Sequence, residues 1–257
     1  MSRAPAFSAL VGSYADQVRS RLDALADMAA AGGLDAALDL LTDAVEAGAV
    51  IQAFGTGHSE AFAMEIAGRA GGLIPTNKIA LRDVVVRGSR SLDALGGATL
   101  ERDPAVVEEL WNLSPIGPGD VFVIASNSGV NGSIVGMAIM AKEHGHGVIA
   151  VTSLEHTRQV TPKHPSGKRL SDVADVVVDN LAPYGDATLA QSDGVAVGAV
   201  SSITCAFIAQ LLTIGVAERI RARGQIPPLY LSANIPGGDA HNAELESRYK
   251  GRIRRGS

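Results

Sequence analysis

The sequence predicts an α/β fold built around a parallel β-sheet. Residues 121–125 form a short apolar run that is typical of a buried parallel strand. This run leads directly into a polar turn at 126–129, and a helix predicted over 134–144 follows it. A second buried strand at 148–151 completes one strand–helix–strand unit, which is the connection that parallel strands require.

Length, composition and charge narrow the class of protein. A chain of 257 residues, 46% of them hydrophobic, favours one large α/β domain with a substantial core. The formal net charge of −5 argues against nucleic acid as the main partner. The single cysteine, Cys205, excludes a disulfide framework and suits a reducing cytosol. Residues 1–10 contain no long apolar stretch, so we expect no signal peptide and a cytoplasmic protein.

One uncharged stretch raises the question of a membrane. Residues 195–217 carry no charge and are numerous enough, at 23, to cross a bilayer. The stretch nevertheless stands alone in a chain of alternating strands and helices, and it contains several hydroxyl side chains. We therefore expect a buried helix or an oligomer interface, and no membrane partner.

The remaining elements follow from apolar periodicity and from glycine and proline signals. Two helices are predicted within 8–48, and a strand at 49–54 runs into a helix predicted over 60–70. Further predictions are a strand within 73–86, a flap or loop at 90–103, a polar loop at 155–170, a strand at 175–179 and a helix over 188–223.

A second glycine-and-hydroxyl turn, Gly55-Thr56-Gly57-His58-Ser59, follows the strand at 49–54. It is not a dinucleotide-binding fingerprint, because Glu60 occupies the place of the third glycine. The turn has the same architecture as Ser126-Asn127-Ser128-Gly129, and both precede a helix. Helix N-termini offer unpaired N–H groups, and the carboxyl ends of parallel strands meet at one edge of the sheet. Together the two turns predict an anion site at that edge.

These two turns, followed by Thr152-Ser153 after the next strand, resemble the sugar isomerase (SIS) domain. The likeness covers roughly residues 35–220. The sequences at 69–72 and 164–168 resemble those of an uncharacterised group of sugar isomerase domain-containing proteins. The resemblance implies a three-layer αβα sandwich with a five-stranded parallel sheet, flavodoxin-like or Rossmann-like. It also implies a phosphorylated sugar as ligand and a homodimer or homotetramer.

The resemblance also assigns roles to particular residues. Its phosphate-binding hydroxyls correspond to Ser59, Ser126 and Ser128. Asn131 stands where better-known members carry a threonine, and an amide can still donate to phosphate. Gly68-Arg69 stand near the position of the catalytic glutamate of phosphoheptose-type isomerases, with Glu65 about one turn earlier. The full set expected to bind the phosphosugar is Gly57, Ser59, Ser126, Asn127, Ser128, Asn131, Ser153 and Lys168.

Three residues are candidates for proton transfer. Glu65 is the expected base, although pairing with Arg69 four residues later explains it equally well. His58 could open the sugar ring or contact the ligand, and contact is favoured. His241 follows a Gly-Gly turn in the tail and could close over a site, including that of a neighbouring subunit, or lie in solvent. The histidines lack metal-ligand spacing, so no metal is expected. No other cofactor is expected either.

The predicted organisation and function follow from these assignments. We expect an N-terminal helical segment (1–48) whose helices pack on the sheet or on a second subunit, a phosphosugar-binding domain (49–224) and a C-terminal tail closing over the site (225–257). The leading hypothesis is a phosphosugar enzyme that interconverts aldose and ketose forms of a sugar phosphate or amino-sugar phosphate. The alternatives are an etherase acting on a muramic acid phosphate and a sensor that binds a phosphosugar without turnover.

Overall fold

A computed structural model describes residues 7–254 of the chain. Its helices are α1 (Phe7–Ala30), α2 (Asp35–Glu46), α3 (Glu60–Ile66), α4 (Asp83–Val86), α5 (Thr99–Arg102), α6 (Val106–Leu113), α7 (Gly132–Glu143), α8 (Leu154–Gln159), α9 (Leu170–Val173), α10 (Ser201–Ala222) and α11 (Gly238–Ser247). Two short 3-10 helices cover Gly57–Ser59 and Leu92–Leu95. The strands are β1 (Ile51–Gly55), β2 (Thr76–Ile79), β3 (Val121–Ala125), β4 (Gly147–Thr152), β5 (Val176–Asp179), β6 (Ala187–Ala190) and β7 (Ala196–Ala199).

Strands β1 to β5 form one parallel sheet in the order β2-β1-β3-β4-β5. This confirms the predicted α/β class with a five-stranded parallel sheet. The strand order reverses between β1 and β3, because the chain proceeds from β1 to one edge and from β3 to the other. Open sheets of this kind bind ligands outside the carboxyl ends of the strands at such a reversal.

Alternate residues of each strand point to opposite faces and build two separate apolar cores. On one face, Ile51, Val123 and Val151 pack with helices α1, α2, α3 and α10. On the other face, Phe54, Ile124 and other strand side chains pack with helices α4, α6 and α7. The N-terminal helices therefore pack on the sheet of their own chain, one of the two arrangements that the sequence left open.

The prediction of a helix over 188–223 is wrong for the first third of that range. Strands β6 and β7 pair there as an antiparallel hairpin, and α10 begins only at Ser201. The sequence contained the signal, since Asp193-Gly194 is a hairpin-turn dipeptide. Gly194 and Gly198 also adopt φ of +84° and +78°, which a helix does not allow.

The last described residues of the C-terminal tail lie at the amino edge of the sheet, opposite the predicted site. Arg252 donates from its guanidinium to Asp120, the residue before β3, at 2.6 Å, and its carbonyl accepts from the Asn77 side chain at 2.6 Å. The Arg254 backbone N–H donates to the Asn77 side chain at 2.7 Å. Within one chain, the last described residues of the tail therefore lie away from the carboxyl edge that the tail was predicted to cover.

Helix α10 is the one helix within residues 7–254 whose length and composition would allow it to cross a membrane. Half of its most apolar window is buried inside the fold. Its buried residues include Ile208, Leu212 and Val216, which pack in the core shared with α1, α2 and α3.

Candidate functional site

A cavity of about 460 Å³ opens at the carboxyl edge of the sheet, at the reversal between β1 and β3. It is surrounded by the turns after these two strands, by α5 and α8, and by the chain on either side of the hairpin. Its lining residues are Thr56, Gly57, His58, Ser59, Glu101, Ser126, Asn127, Ser128, His156, Gly185, Asp186, Ala199, Ser201 and Ser202.

Strand register brings the two predicted turns together. Gly55 of β1 pairs with Ala125 of β3, so the residues that follow them leave the sheet side by side. Gly55 also has to be a glycine, because a Cβ there would lie 2.2 Å from the carbonyl oxygen of Ser59. The first turn can therefore fold back tightly over the end of its own strand.

In the second turn, the Ser126 side chain stabilises the turn itself, whereas the Ser128 side chain can bind a ligand. Ser126 Oγ accepts the backbone N–H of Gly129 at 3.1 Å, and Gly129 adopts a φ of +63°. Among the described residues, the hydroxyls of Ser128 and Ser59 have no hydrogen-bond partner, and both line the cavity. Ser59 and Ser128 are therefore free to bind a ligand, whereas Ser126 has a structural role as well.

Asn127 and Asn131 are held by protein partners. Asn127 Oδ1 accepts from the side chain of Asn180, which is fully buried, at 3.1 Å. Asn131 stands at the start of α7 and donates from Nδ2 to the carboxylate of Glu101. Its Oδ1 is buried and has no partner among the described residues, so it can still accept a hydrogen bond.

Glu101, from α5, brings a carboxylate into the cavity. Its carbonyl oxygen accepts from Ser133 Oγ at 2.8 Å, which anchors α5 on the first turn of α7. Its Oε2 lies 3.5 Å from the position that a Cβ of Gly57 would occupy, and Gly57 has none. The carboxylate therefore faces the first turn across the cavity.

A second carboxylate, that of Asp186, caps the amino end of α10. Its Oδ1 accepts the backbone N–H groups of Val200 and Ser201 at 3.1 and 2.8 Å, and its Oδ2 accepts from Ser201 Oγ at 2.7 Å. This carboxylate neutralises the positive end of the helix dipole. An anion in the cavity is therefore directed to the turns after β1 and β3 rather than to α10.

His156 lines another side of the cavity and contacts Tyr184, which is not itself a lining residue. Nδ1 of His156 accepts the Gly185 N–H at 2.9 Å, and its ring stacks on Tyr184 with centroids 5.2 Å apart. Burial lowers the pKa of His156, although the nearby carboxylates of Asp186 and Glu155 oppose this effect. The ring is therefore neutral near pH 7, with Nδ1 as the acceptor.

Acidification should weaken this side of the cavity. We expect the titration midpoint of His156, followed by NMR, to lie below the ordinary value of 6.5. At a pH between the folded and the unfolded pKa of His156, the unfolded chain binds more protons than the folded chain. The contribution of His156 to stability is therefore fully present above pH 6.5 and falls as the pH drops below that value. His156→Asn should reduce this pH dependence, because Asn retains an acceptor but does not titrate. His164→Asn identifies the NMR signal of His164, the other histidine whose pKa is lowered by burial. A titration midpoint of His156 at or above 6.5 would contradict the expectation.

No Lys or Arg side chain within residues 7–254 lines this cavity. A phosphate there would have to be bound by neutral donors, namely hydroxyls and backbone N–H groups, as at many helix N-termini. The described residues also contain no group of three or more His, Cys, Asp or Glu placed to hold a metal ion.

Sequence comparison relates this fold and cavity to known proteins. The profile described as "SIS domain" matches residues 13–153. The chain belongs to the SIS domain family. It is 38% identical over 224 residues to a UPF0309 protein of Streptomyces coelicolor, covering 87% of this chain and 88% of that protein. A UPF0309 protein of Caldanaerobacter subterraneus is 34% identical over 222 residues, covering 85% of this chain and 89% of that protein.

Solved structures share the fold of this SIS domain. A phosphoheptose isomerase from Francisella tularensis matches with a TM-score of 0.54 at 16% identity, covering 83% of this chain and 100% of that chain. An Escherichia coli CFT073 protein in complex with A5P matches with a TM-score of 0.51 at 15% identity, covering 86% and 94%. At these identities the likeness shows a common fold.

The SIS domain brings together most of the residues predicted to bind a ligand, but not all of them. Gly57, Ser59, Ser126, Asn127 and Ser128 line the cavity, and Asn131 supports it through Glu101. Ser153 is fully buried, where its Oγ caps α8 and donates to the Ala182 carbonyl oxygen. Lys168 is exposed in the loop before α9 and does not line the cavity.

Of the three residues predicted to transfer protons, only His58 lines this cavity. Glu65 forms an ion pair with Arg69 and accepts from the Gln210 side chain at 3.0 Å. His241 lies in α11, where its Nε2 is 2.9 Å from the Leu229 carbonyl oxygen. Glu65 and His241 therefore lie outside the cavity of their own chain.

Sequence reasoning missed the cavity residues that come from outside the two turns. These residues are Glu101, His156, Gly185, Asp186, Ala199, Ser201 and Ser202. Glu101 lies in a segment interpreted as a flap, and His156 in one interpreted as a polar loop. A signal was available for Ser201 and Ser202, because hydroxyl residues are typical of a helix N-terminus and α10 begins there.

Proposed function

We propose that this protein binds a phosphorylated sugar in the cavity at the carboxyl edge and interconverts its aldose and ketose forms. The observation that carries the proposal is a pair of hydroxyls, on Ser59 and Ser128, on adjacent turns of the cavity. Within residues 7–254 these hydroxyls have no hydrogen-bond partner and no Lys or Arg lines the cavity. Such neutral donors suit a phosphate monoester, and membership of the SIS domain family supports the same ligand class. The fold is also shared with a phosphoheptose isomerase.

The carboxylates and the imidazoles of the cavity suit the sugar part of the ligand. Isomerisation moves a proton between neighbouring carbons, so a base must remove it from one carbon and return it to the other. Glu101 is our candidate for this base, because its carboxylate lies in the cavity and Asn131 fixes one of its oxygens. His58 is the candidate to transfer a proton to and from the sugar oxygens, because it lines the cavity and has no hydrogen-bond partner among the described residues.

Glu65 and His241 remain candidates for an assembled protein. Each lies outside the cavity of its own chain, so either could act only on a neighbouring subunit's ligand or after a rearrangement. We propose a cytoplasmic homodimer or homotetramer, and analytical ultracentrifugation would test its assembly. The variants Glu65→Gln and His241→Asn test these two residues directly.

Ser128→Ala is the sharpest test of phosphosugar binding. We expect sugar phosphates, including A5P, to raise the melting temperature of the wild type, since a ligand that binds only the native state stabilises it. Ser128→Ala removes a hydroxyl that has no hydrogen-bond partner in the described part of the chain, so we expect an unchanged melting temperature without ligand and about tenfold weaker binding. Ser126→Ala is less suitable, because it also removes the acceptor for Gly129 N–H.

The controls are Ser13→Ala and the unphosphorylated sugars. Ser13 is exposed on α1, so its replacement should leave binding unchanged. If the parent sugars stabilise the protein as well as their phosphates do, or if Ser128→Ala binds as tightly as the wild type, the proposed phosphate site is wrong.

A further inference from the structure

A second cavity, of about 480 Å³, is lined mainly by positive charge. It lies between the end of α3, strand β2, helix α4 and the last described residues of the tail. Five cationic side chains line it, and Asp83 is the one carboxylate-bearing residue among its described lining residues. The cations are Arg69, Lys78, Arg82, Arg87 and Arg254.

Carboxylates neutralise only part of this charge. Arg69 forms an ion pair with Glu65, Lys78 with Glu60 at 2.9 Å, and Arg87 with Asp83 at 3.4 Å. The other two cations, Arg82 and Arg254, have no carboxylate partner among the described residues. The cavity therefore carries an excess of positive charge on a chain whose formal net charge is −5.

The two unneutralised arginines differ in their surroundings. The Arg254 guanidinium donates to the Leu113 carbonyl oxygen. Burial and the nearby positive charge of Arg87 lower the pKa of Arg254, although Asp83 opposes this effect. Arg82 is exposed and makes no side-chain hydrogen bond within the described residues. Holding like charges close together has an energetic cost, which a bound anion would offset.

We propose that this cavity binds a small anion carrying two or more phosphate groups. Arginine forks bind phosphate oxygens in a bidentate manner, and the cations come from four separate segments that surround the cavity. A volume of about 480 Å³ is typical of small-molecule sites and exceeds what one phosphate needs. The concave shape and the negative net charge favour a small ligand over RNA or a membrane surface.

Isothermal titration with inorganic pyrophosphate at fixed ionic strength tests this site. We expect the wild type to bind pyrophosphate, and Arg82→Ala to bind it about tenfold more weakly. Arg82 is exposed and has no ion-pair partner within residues 7–254, so the variant should melt at the wild-type temperature without ligand. Arg19→Ala, which removes an exposed arginine of α1, should bind as the wild type does.

The other outcomes decide against the proposal. Absence of pyrophosphate binding, or equal binding by Arg82→Ala, would overturn it. Loss of pyrophosphate binding in Ser128→Ala would assign the anion to the first cavity instead. If a short RNA or vesicles of phosphatidylserine bind in a manner that depends on Arg82 while pyrophosphate does not, the site belongs to a macromolecule or membrane and not to a small anion.

Discussion

Replacing Asp120 with alanine should lower the free energy of unfolding by about 3–5 kcal/mol. The Asp120 side chain is fully buried and accepts four hydrogen bonds. The donors are the backbone N–H groups of Val50 and Gly117, the Gln52 amide and the Arg252 guanidinium, at 2.6 to 2.9 Å. Removing the carboxylate would leave a buried amide and a partly buried cation without their acceptor.

This loss is a large fraction of the 5–15 kcal/mol that is typical of a folded domain. Asp120 joins the starts of β1 and β3 to the tail, so its loss affects three segments at once. Urea denaturation measures the effect, and we expect proteolysis to remove the tail faster in the variant. Asp120→Asn should lower the free energy of unfolding by less than Asp120→Ala does, because the amide keeps one acceptor oxygen. It should still be destabilising, because the amide NH2 group adds donors at a position where four donors already converge.

Asp175 provides the matched control. Its carboxylate also supports a strand, accepting the Val148 N–H at 2.8 Å and pairing with Lys142 at 2.7 Å. The side chain of Asp175 is 39% exposed, and such pairs contribute about 1 kcal/mol or less. If Asp120→Ala destabilised the protein no more than Asp175→Ala, the buried network would not have the role that we assign to it.

The strands and the two turns could be predicted from sequence because their signals are local. Strands β1, β3 and β4 are short, mostly apolar runs, and each turn directly follows one, as at Ala125 and Ser126. A parallel sheet then brings successive strand ends to one edge, which is sufficient to place Ser59 near Ser128. The hairpin at β6 and β7 was missed because the apolar pattern of α10 was extended backwards across Gly198 and Gly194.

The rest of the cavity depends on contacts between residues far apart in sequence. Glu101 reaches the cavity only because Ser133 holds α5 on the start of α7, 32 residues away. His156 acquires its orientation from Gly185, which is 29 residues away. No local pattern indicates such pairings, so the sequence instead favoured Glu65, which lies on a helix that it could identify. Ion pairing of Glu65 with Arg69, the other interpretation considered from sequence, is what the structure contains.

Glu101→Gln should reduce turnover of the sugar phosphate by about 10²- to 10⁴-fold, which is the usual contribution of a general base. Glutamine keeps the shape of the side chain and an oxygen for Asn131 Nδ2, so α5 should stay in position. Glutamine cannot take up a proton from carbon, so the rate of proton transfer should fall. Binding of the ligand should persist, because the shape of the side chain is retained. The measurement is exchange of the sugar C–H proton with deuterated solvent, followed by NMR, beside a binding titration with the same ligand.

Glu65→Gln is the matched control for this prediction. It makes the same chemical change to a carboxylate that pairs with Arg69 outside the cavity, so exchange should continue near the wild-type rate. If instead Glu65→Gln stopped exchange and Glu101→Gln did not, the base would be Glu65, reached through a neighbouring subunit or a rearrangement. If the wild type bound the phosphosugar without any exchange, the binding site would stand while isomerisation would not, and a sensor would become the better description. The variants Ser128→Ala and Glu101→Gln therefore separate the binding proposal from the catalytic one, because Ser128 is assigned to phosphate binding and Glu101 to proton transfer at the same cavity.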